Sequence, residues 1–480
     1  MTLWDLVERR AAATPDANML ADETGRHVSF GQFKGLAERI SADLAAQGVR
    51  PGSAVTWQLP STVETLALTA ALARLGAVQN PVIPGYGQDN LDFVTAQTGA
   101  GLIITDLAQV RPGSGDVPPP AGADGDPVRW VFYTSGTTAD PKGALHTDAS
   151  LLASASGMAR ALALTKRDRV GAVFPVAHVG GCGTWLAASL MSGCALILDS
   201  SFDLERTTAL QRRERVTVGG CGTVFTQLYT GLQRENPGRP LFPDLRVMTG
   251  GASPRPPSLH EDVKRLMGTP GMLSGYGMTE APILTMAAVT DPDEKIALTE
   301  GRPGPGVEFI VVDSELRVKA PQMMRGYADP ALNAGAFDDD GYLRTGDLGA
   351  VDADGYVRIT GRLKDVIIRK GETLSARAIE LDVLTFPGVT DVAVIGLPDA
   401  ARGEIACAVV VPADPARPPA LAAVVAHLRD RGVPPLRWPE RLEVAGDFPR
   451  NSTGKVRKDE LRAQVAPPSL CSLFPLPSRH

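Results

Sequence analysis

Apolar residues recur with two different periods along this 480-residue chain, and the changes of period mark out its elements. Phe33, Leu36, Ala37, Ile40 and Leu44 stand three and four apart in a segment ending at Gly48, which predicts an amphipathic helix. Val63 to Leu75 behaves similarly, and the strand-like Ala54 to Leu59 lies between the two. From Val170 to Tyr276, β-rich runs (Gly171 to Phe174, Cys194 to Leu198, Val216 to Val218, Leu245 to Met248) alternate with helical stretches such as Leu204 to Arg213 and Pro257 to Leu266. This alternation predicts an α/β fold, a parallel or mixed sheet covered by helices. Arg111 to Pro127, rich in Pro and Gly, reads as a loop or linker. The pattern changes again near Gly361. A helix around Ala378 to Leu384, strands at Asp391 to Leu397 and Ile405 to Val411, and a helix from Leu421 to Arg431 predict a small α+β domain. The expected division is a large N-terminal domain over 1–361, a small C-terminal domain over 362–466, and a frayed, dispensable proline-rich tail over 467–480.

Bulk composition narrows the class. At 44% hydrophobic residues the chain can bury large cores, as a globular enzyme of at least two domains does. The net charge of −6 and the absence of a long basic run indicate neither nucleic acid nor an anionic membrane as a partner, so any phosphate binding must be local. Cys182, Cys194, Cys221, Cys407 and Cys471 are odd in number and scattered, which fits reduced thiols in a cytoplasmic protein. Met1 to Arg10 lacks a signal-peptide core, and no run approaches the roughly 20 apolar residues of an integral membrane helix. Peripheral membrane contact and a homodimer are left open.

The candidate chemistry begins at Tyr133-Thr134-Ser135-Gly136-Thr137-Thr138-Ala139-Asp140-Pro141-Lys142-Gly143, after the largely apolar run Val128 to Tyr133. Small residues let backbone N–H groups approach phosphate oxygens, hydroxyls add donors, and Lys142 supplies a positive charge. It is not a Walker loop, because Lys142 follows Pro141 and precedes Gly143. A Ser/Thr/Gly-rich surface turn is the plainer reading of the same composition. Further along come Phe174-Pro175-Val176-Ala177-His178-Val179-Gly180-Gly181, Gly250-Gly251-Ala252-Ser253-Pro254, Gly275-Tyr276-Gly277-Met278-Thr279-Glu280, Arg344-Thr345-Gly346-Asp347-Leu348, Gly361-Arg362-Leu363-Lys364-Asp365, Arg369-Lys370-Gly371-Glu372 and Pro449-Arg450-Asn451-Ser452-Thr453-Gly454-Lys455-Val456. Taken singly, most read as glycine turns or solvated charged loops, and His178 as a core histidine in an apolar run.

In this order the motifs resemble the signatures of the adenylate-forming superfamily, which holds acyl-CoA synthetases, luciferases and the adenylation domains of peptide synthetases. The likeness runs from about Trp4 to Arg462. The resemblance implies a large helix-covered sheet domain with a small mobile C-terminal domain hinged at Lys364. It implies ATP bound by Thr134, Ser135, Gly136, Thr137, Thr138 and Lys142 at its phosphates and by Gly251, Ala252, Ser253, Tyr276 and Gly277 around adenine. Asp347 and Arg362 match the ribose clamp, Thr279 the α-phosphate contact, and Glu280 the carboxylate that helps hold Mg²⁺. Lys455 resembles the lysine that bridges the substrate carboxylate and the α-phosphate during adenylation, and Gly371 the position beside the pantetheine arm of coenzyme A.

His178 sits where acyl- and aryl-CoA ligases carry a histidine near the acid pocket, whereas amino-acid-activating domains have a Phe-Asp pair there. With Val176, Val179, Gly180, Gly181, Cys182, Thr184, Trp185, Gly222 and Val224 it is expected to wall a small, mostly apolar pocket for a carboxylic acid. The run Leu75 to Pro84 is similar to that of medium-chain or alicyclic acid:CoA ligases. The implied activity is ATP-dependent acid:CoA ligation through an acyl-adenylate. Loading of a separate carrier protein and nucleotide binding without catalysis are the alternatives, and the intact Lys142, Glu280, Asp347 and Lys455 speak against the second. The chain departs from the family in a shortened segment between Val312-Asp313 and Glu315, in a compressed stretch before the phosphate loop, in Lys370, and in Ala378 where a Glu is usual. The last bears on the thioester step more than on adenylation.

Overall fold

The computed structural model describes residues 1–122, 125–134, 141–251, 253, 255, 258–450 and 456–465. Four sheets are seen among them. The first runs Leu102–Ile104, Ala54–Trp57, Val78–Pro81, Val128–Thr134, Lys142–Thr147, parallel except for its last pair. The second has nine strands, in the order Arg302–Pro303, Ala281–Met286, Met272–Met278, Val247–Gly250, Val218–Gly219, Arg169–Ala172, Ala195–Leu198, Asn18–Asp22 and His27–Ser29. Its centre is parallel and its ends antiparallel.

Helices form where the spacing placed them. Phe30–Ala46 starts at a capping box in which the Ser29 side chain accepts from Gln32 N and the Gln32 side chain accepts from Ser29 N. One face, with Phe33, Ala37, Ile40 and Leu44, enters the largest core, beside Trp57 and Trp130. Val63–Leu75 is apolar almost all round and correspondingly buried. The strand expected at Val216 to Val218 is Val218–Gly219, and that at Gly171 to Phe174 is Arg169–Ala172. A short, fully buried strand has no alternation to fix its ends.

A four-stranded antiparallel sheet follows: Glu308–Val312, Glu315–Lys319, Leu343–Val351 and Val357–Arg362. The shortened segment is a two-residue hairpin whose tip, Asp313-Ser314, has φ of 50° and 67°, the positive values that suit the strands' twist. The C-terminal sheet combines Glu372–Ser375, Val366–Arg369, Gly403–Pro412, Val389–Asp399 and Arg441–Val444. Ile379 and Val383 of helix Ala376–Val383 pack on Val394, Val410, Val424 and Leu428, a core separate from the large one. Where this part meets the preceding sheet, Ser375 Oγ donates to Thr360 O at 2.6 Å and Arg377 Nη2 lies 3.1 Å from Glu300 Oε1. Among the described residues no helix is long and apolar enough to cross a membrane, and Cys182, Cys194, Cys221 and Cys407 are free and buried.

Candidate active site

Thr134 and Lys142 face each other across the antiparallel pair of strands that residues 135–140 connect. Ser135, Gly136, Thr137 and Thr138 lie outside the described residues. The Lys142 ammonium stands 5.8 Å from the centre of the Tyr327 ring, and the Tyr327 hydroxyl donates to Glu280 Oε1 at 2.7 Å. The segment bearing Tyr327 lies along the Lys142 strand: Leu145 N donates to Gly326 O at 2.9 Å and Ala328 N to Gly143 O at 2.7 Å. Burial, and then the Glu280 charge, raise the Tyr327 phenol far above its ordinary range, so it stays a donor. Tyr327 escaped the reading of the sequence. Its only local signal is a Gly-Tyr pair after Arg325, and its partner is 47 residues away.

Thr279 and Glu280 form the tip of the hairpin in which Met278 pairs with Ala281. Glu280 is buried, and its carbonyl accepts from Met324 N at 2.8 Å. A buried carboxylate with one oxygen anchored by a neutral donor suits a hard cation better than a second protein charge would. Glu280 therefore fits the expected metal role.

Asp347 and Arg362 are directly opposed across antiparallel strands, with Nε 2.7 Å from Oδ1. The Tyr276 hydroxyl donates to the other carboxylate oxygen at 2.8 Å. Asp347 is 2% exposed, so both partners hold it in one orientation. Burial, then the Asp347 charge, push the Tyr276 phenol well above its ordinary range. Thr345 sets the turn by donating to Leu316 O and accepting from Asp347 N. Burial, then the Arg362 charge, draw the Lys364 ammonium below its usual range. On the neighbouring parallel strands, Gly251 has φ of 145°, and a Cβ there would stand 2.7 Å from Gly275 O, so the loop's backbone abuts the Tyr276 segment as only glycine allows. Thr223 Oγ1 ties this loop through Gly251 O and Ser253 O, while Ala252 lies outside the described residues. Gly277 is exposed beside Tyr276.

A crevice of about 10 Å³, room for roughly one water, opens beside the hairpin tip. Its lining includes Val82, Ile83, Tyr86, Phe132, Tyr133, Ala177 and Val179, with His178 and Thr279 as the polar members. His178 stacks on Phe174 at 5.1 Å, and its Nδ1 accepts from Gly180 N at 3.0 Å. Burial pulls its pKa down to about 4, so it faces a ligand as a neutral ring. Of the residues expected to wall an acid pocket, Val179 lines this crevice with His178. Cys182 and Trp185 pack into the large core, Thr184 bonds to Ser154, and Gly222 lies behind Phe174. The rest of the crevice is lined from the ends of the Val78–Pro81 and Val128–Thr134 strands, which the sheet order brings to His178.

Two expected residues belong to the C-terminal part of the sequence. Lys455 is outside the described residues. Gly371 is exposed at the tip of the Val366–Arg369/Glu372–Ser375 hairpin, where Lys370 and Gly371 have φ of 51° and 81°. A Cβ at 371 would meet nothing within 4 Å, so it is the backbone turn, more than a neighbour, that asks for glycine.

A buried hairpin carboxylate linked through Tyr327 to the lysine strand, a cross-strand Asp-Arg pair at a tyrosine, and an adjoining crevice are gathered here. The chain matches the AMP-binding enzyme family model over residues 7–328 and the AMP-binding enzyme C-terminal domain over 378–455, and it belongs to that family. It is 27% identical to the medium-chain fatty-acid–CoA ligase of Escherichia coli (strain K12), over 97% of this chain and 90% of the relative. It is 30% identical to the long-chain-fatty-acid–CoA ligase FadD13 of Mycobacterium tuberculosis, over 96% and 98%. Its fold is similar to that of ATP-bound MatB from Rhodopseudomonas palustris, with a TM-score of 0.84 at 27% identity, over 97% of this chain and 99% of that one.

Proposed function

We propose that this protein is an ATP-dependent carboxylic acid:CoA ligase acting on an apolar medium-chain or alicyclic acid. One observation carries the reading. Thr279 is at once the neighbour of Glu280 on the hairpin tip and a lining residue of the crevice, so an acid held there meets the nucleotide at that tip. In the first half-reaction a carboxylate oxygen bonds to the α-phosphorus of ATP and pyrophosphate leaves. In the second, the thiol sulfur of coenzyme A bonds to the acyl carbon, its proton is lost, and AMP leaves.

In this reading Lys142 and residues 134–138 hold the phosphates, Asp347 and Arg362 the ribose hydroxyls, and Gly251, Ala252, Ser253, Tyr276 and Gly277 surround the adenine. Mg²⁺, held through Glu280, would neutralise phosphate charge. Neutral His178 closes the acid pocket without adding a charge that an apolar acid cannot match. The small domain turns about Lys364, exchanging Lys455 for the Gly371 hairpin between the two steps. Buried, unpaired thiols agree with a cytoplasmic setting.

Pyrophosphate release across a panel of carboxylic acids, with and without CoA, tests the proposal. Medium-chain and alicyclic acids are expected to release pyrophosphate, with CoA consumed in step. Release that CoA does not accelerate would favour carrier-protein loading, and no release with any acid would leave only nucleotide binding. A second expectation follows from the turn at Gly371. Gly371→Ala forces a side chain into the left-handed region, costing about 1 kcal/mol of stability. Acyl-AMP formation should be unchanged while thioester formation slows, and equal slowing of both steps would count against a CoA role for this hairpin.

A further inference from the structure

We propose that His146 is a positioning residue for the adenylation step, donating from Nε2 to the Thr279 carbonyl and so fixing the hairpin tip against the strand that carries Lys142. The inference rests on the reading of Thr279 and Glu280 given above. His146 is fully buried in the strand Lys142–Thr147, four residues from Lys142. A polar ring in such a place costs stability unless both nitrogens are partnered. They are: Nε2 lies 2.8 Å from Thr279 O, across 133 residues of chain, and Nδ1 lies 3.0 Å from Ser150 Oγ.

A carbonyl can only accept, so the hydrogen sits on Nε2, and Nδ1 shares the one Ser150 hydroxyl hydrogen with Thr147 O, which lies 2.9 Å from Ser150 Oγ. The cross-strand neighbour of His146 is Trp130, and the Phe132 ring meets the imidazole edge-on at 6.1 Å, which holds its plane. The tip is then pinned at three atoms: Thr279 O by His146, Glu280 O by Met324 N, and Glu280 Oε1 by Tyr327. Two of these pins belong to the Lys142 strand or to the segment paired with it.

The geometry goes further. Among the described residues no peptide bond is cis, and in a trans peptide the carbonyl and the following N–H point opposite ways. Drawing the Thr279 carbonyl inward to His146 therefore turns the Glu280 N–H outward, as a fixed donor for an oxygen of the acyl-adenylate phosphate. A donor fixed before the reaction stabilises developing charge without reorganisation. His146 itself touches no reactant.

His146→Gln and His146→Asn separate this role from simple packing. The Gln amide nitrogen reaches where Nε2 stands, whereas that of Asn stops short, near Nδ1. Each variant is measured for ATP–pyrophosphate exchange with the best acid of the panel, for thermal unfolding, and for calorimetric binding of N-octanoylsulfamoyl adenosine. The Asn variant is expected to lose about tenfold in exchange kcat, with KM for ATP nearly unchanged, and to bind the analogue about tenfold more weakly. The Gln variant should stay within a few-fold of the wild type in both. Equal kcat in the two variants, a loss confined to KM, a loss that follows the folded fraction, or misfolding of both overturns the proposal. Failure of the underlying reading looks different, since the wild type would then bind no analogue, and that result removes the positioning role as well.

Discussion

Lys455→Ala is expected to lower acyl-AMP formation about 100- to 1,000-fold while leaving thioester formation from supplied acyl-AMP largely intact. Adenylation brings a carboxylate against a phosphate, and a cation already in place offsets the repulsion as the new bond forms. Lys455 lies in a segment closed at its base: Arg450 pairs with Val456, and Arg457 N donates to Pro449 O at 2.7 Å. Arg450 is further tied to Asp391. The second half-reaction expels AMP from an acyl group whose carboxylate charge is already masked in the mixed anhydride with AMP, and it lacks this clash of anions. Measuring pyrophosphate exchange and thioester formation separately checks the division. Equal loss in both would show that Lys455 serves the nucleotide in general.

The second large effect is expected at Asp347. Asp347→Ala removes the acceptor for Arg362 Nε and for the Tyr276 hydroxyl together. A buried phenol left unpaired costs about 2 kcal/mol, which should show in chemical denaturation. If the carboxylate also accepts from two ribose hydroxyls, losing both bonds costs about 3 kcal/mol more of ATP binding in the transition state, or about 100-fold in kcat/KM for ATP. Asp347→Asn distinguishes the two contributions: its amide keeps the shape and one acceptor but loses the charge, so it should recover stability better than activity. Lowered stability with an unchanged kcat/KM for ATP would reduce Asp347 to a structural link between strands.

Much of this was legible in the chain. The helix Phe30–Ala46 falls where the spacing of Phe33, Ala37, Ile40 and Leu44 put it, because an apolar stripe every three to four residues has few alternatives. The strand Val218–Gly219 was displaced because two fully buried residues carry no alternation. In the site, Glu280, Asp347 and Arg362 were expected from the resemblance of their motifs, since Thr-Gly-Asp alone reads as a turn, and the structure brings Asp347 and Arg362 into contact. Tyr327, His146 and the crevice walls Val82, Ile83, Tyr86 and Phe132 were not expected. Their contacts come from sheet order and from partners as much as 133 residues away, which no local window contains.

The crevice walls have an evolutionary consequence. Phe132 and Tyr133 belong to a strand within the first sheet, and Val82 and Ile83 directly follow another, so the same side chains that line the crevice also pack the interior. Any lineage that widens the chamber for bulkier acids must hollow out its own foundations, and each step toward a new diet is taken from heat tolerance unless a substitution elsewhere restores it.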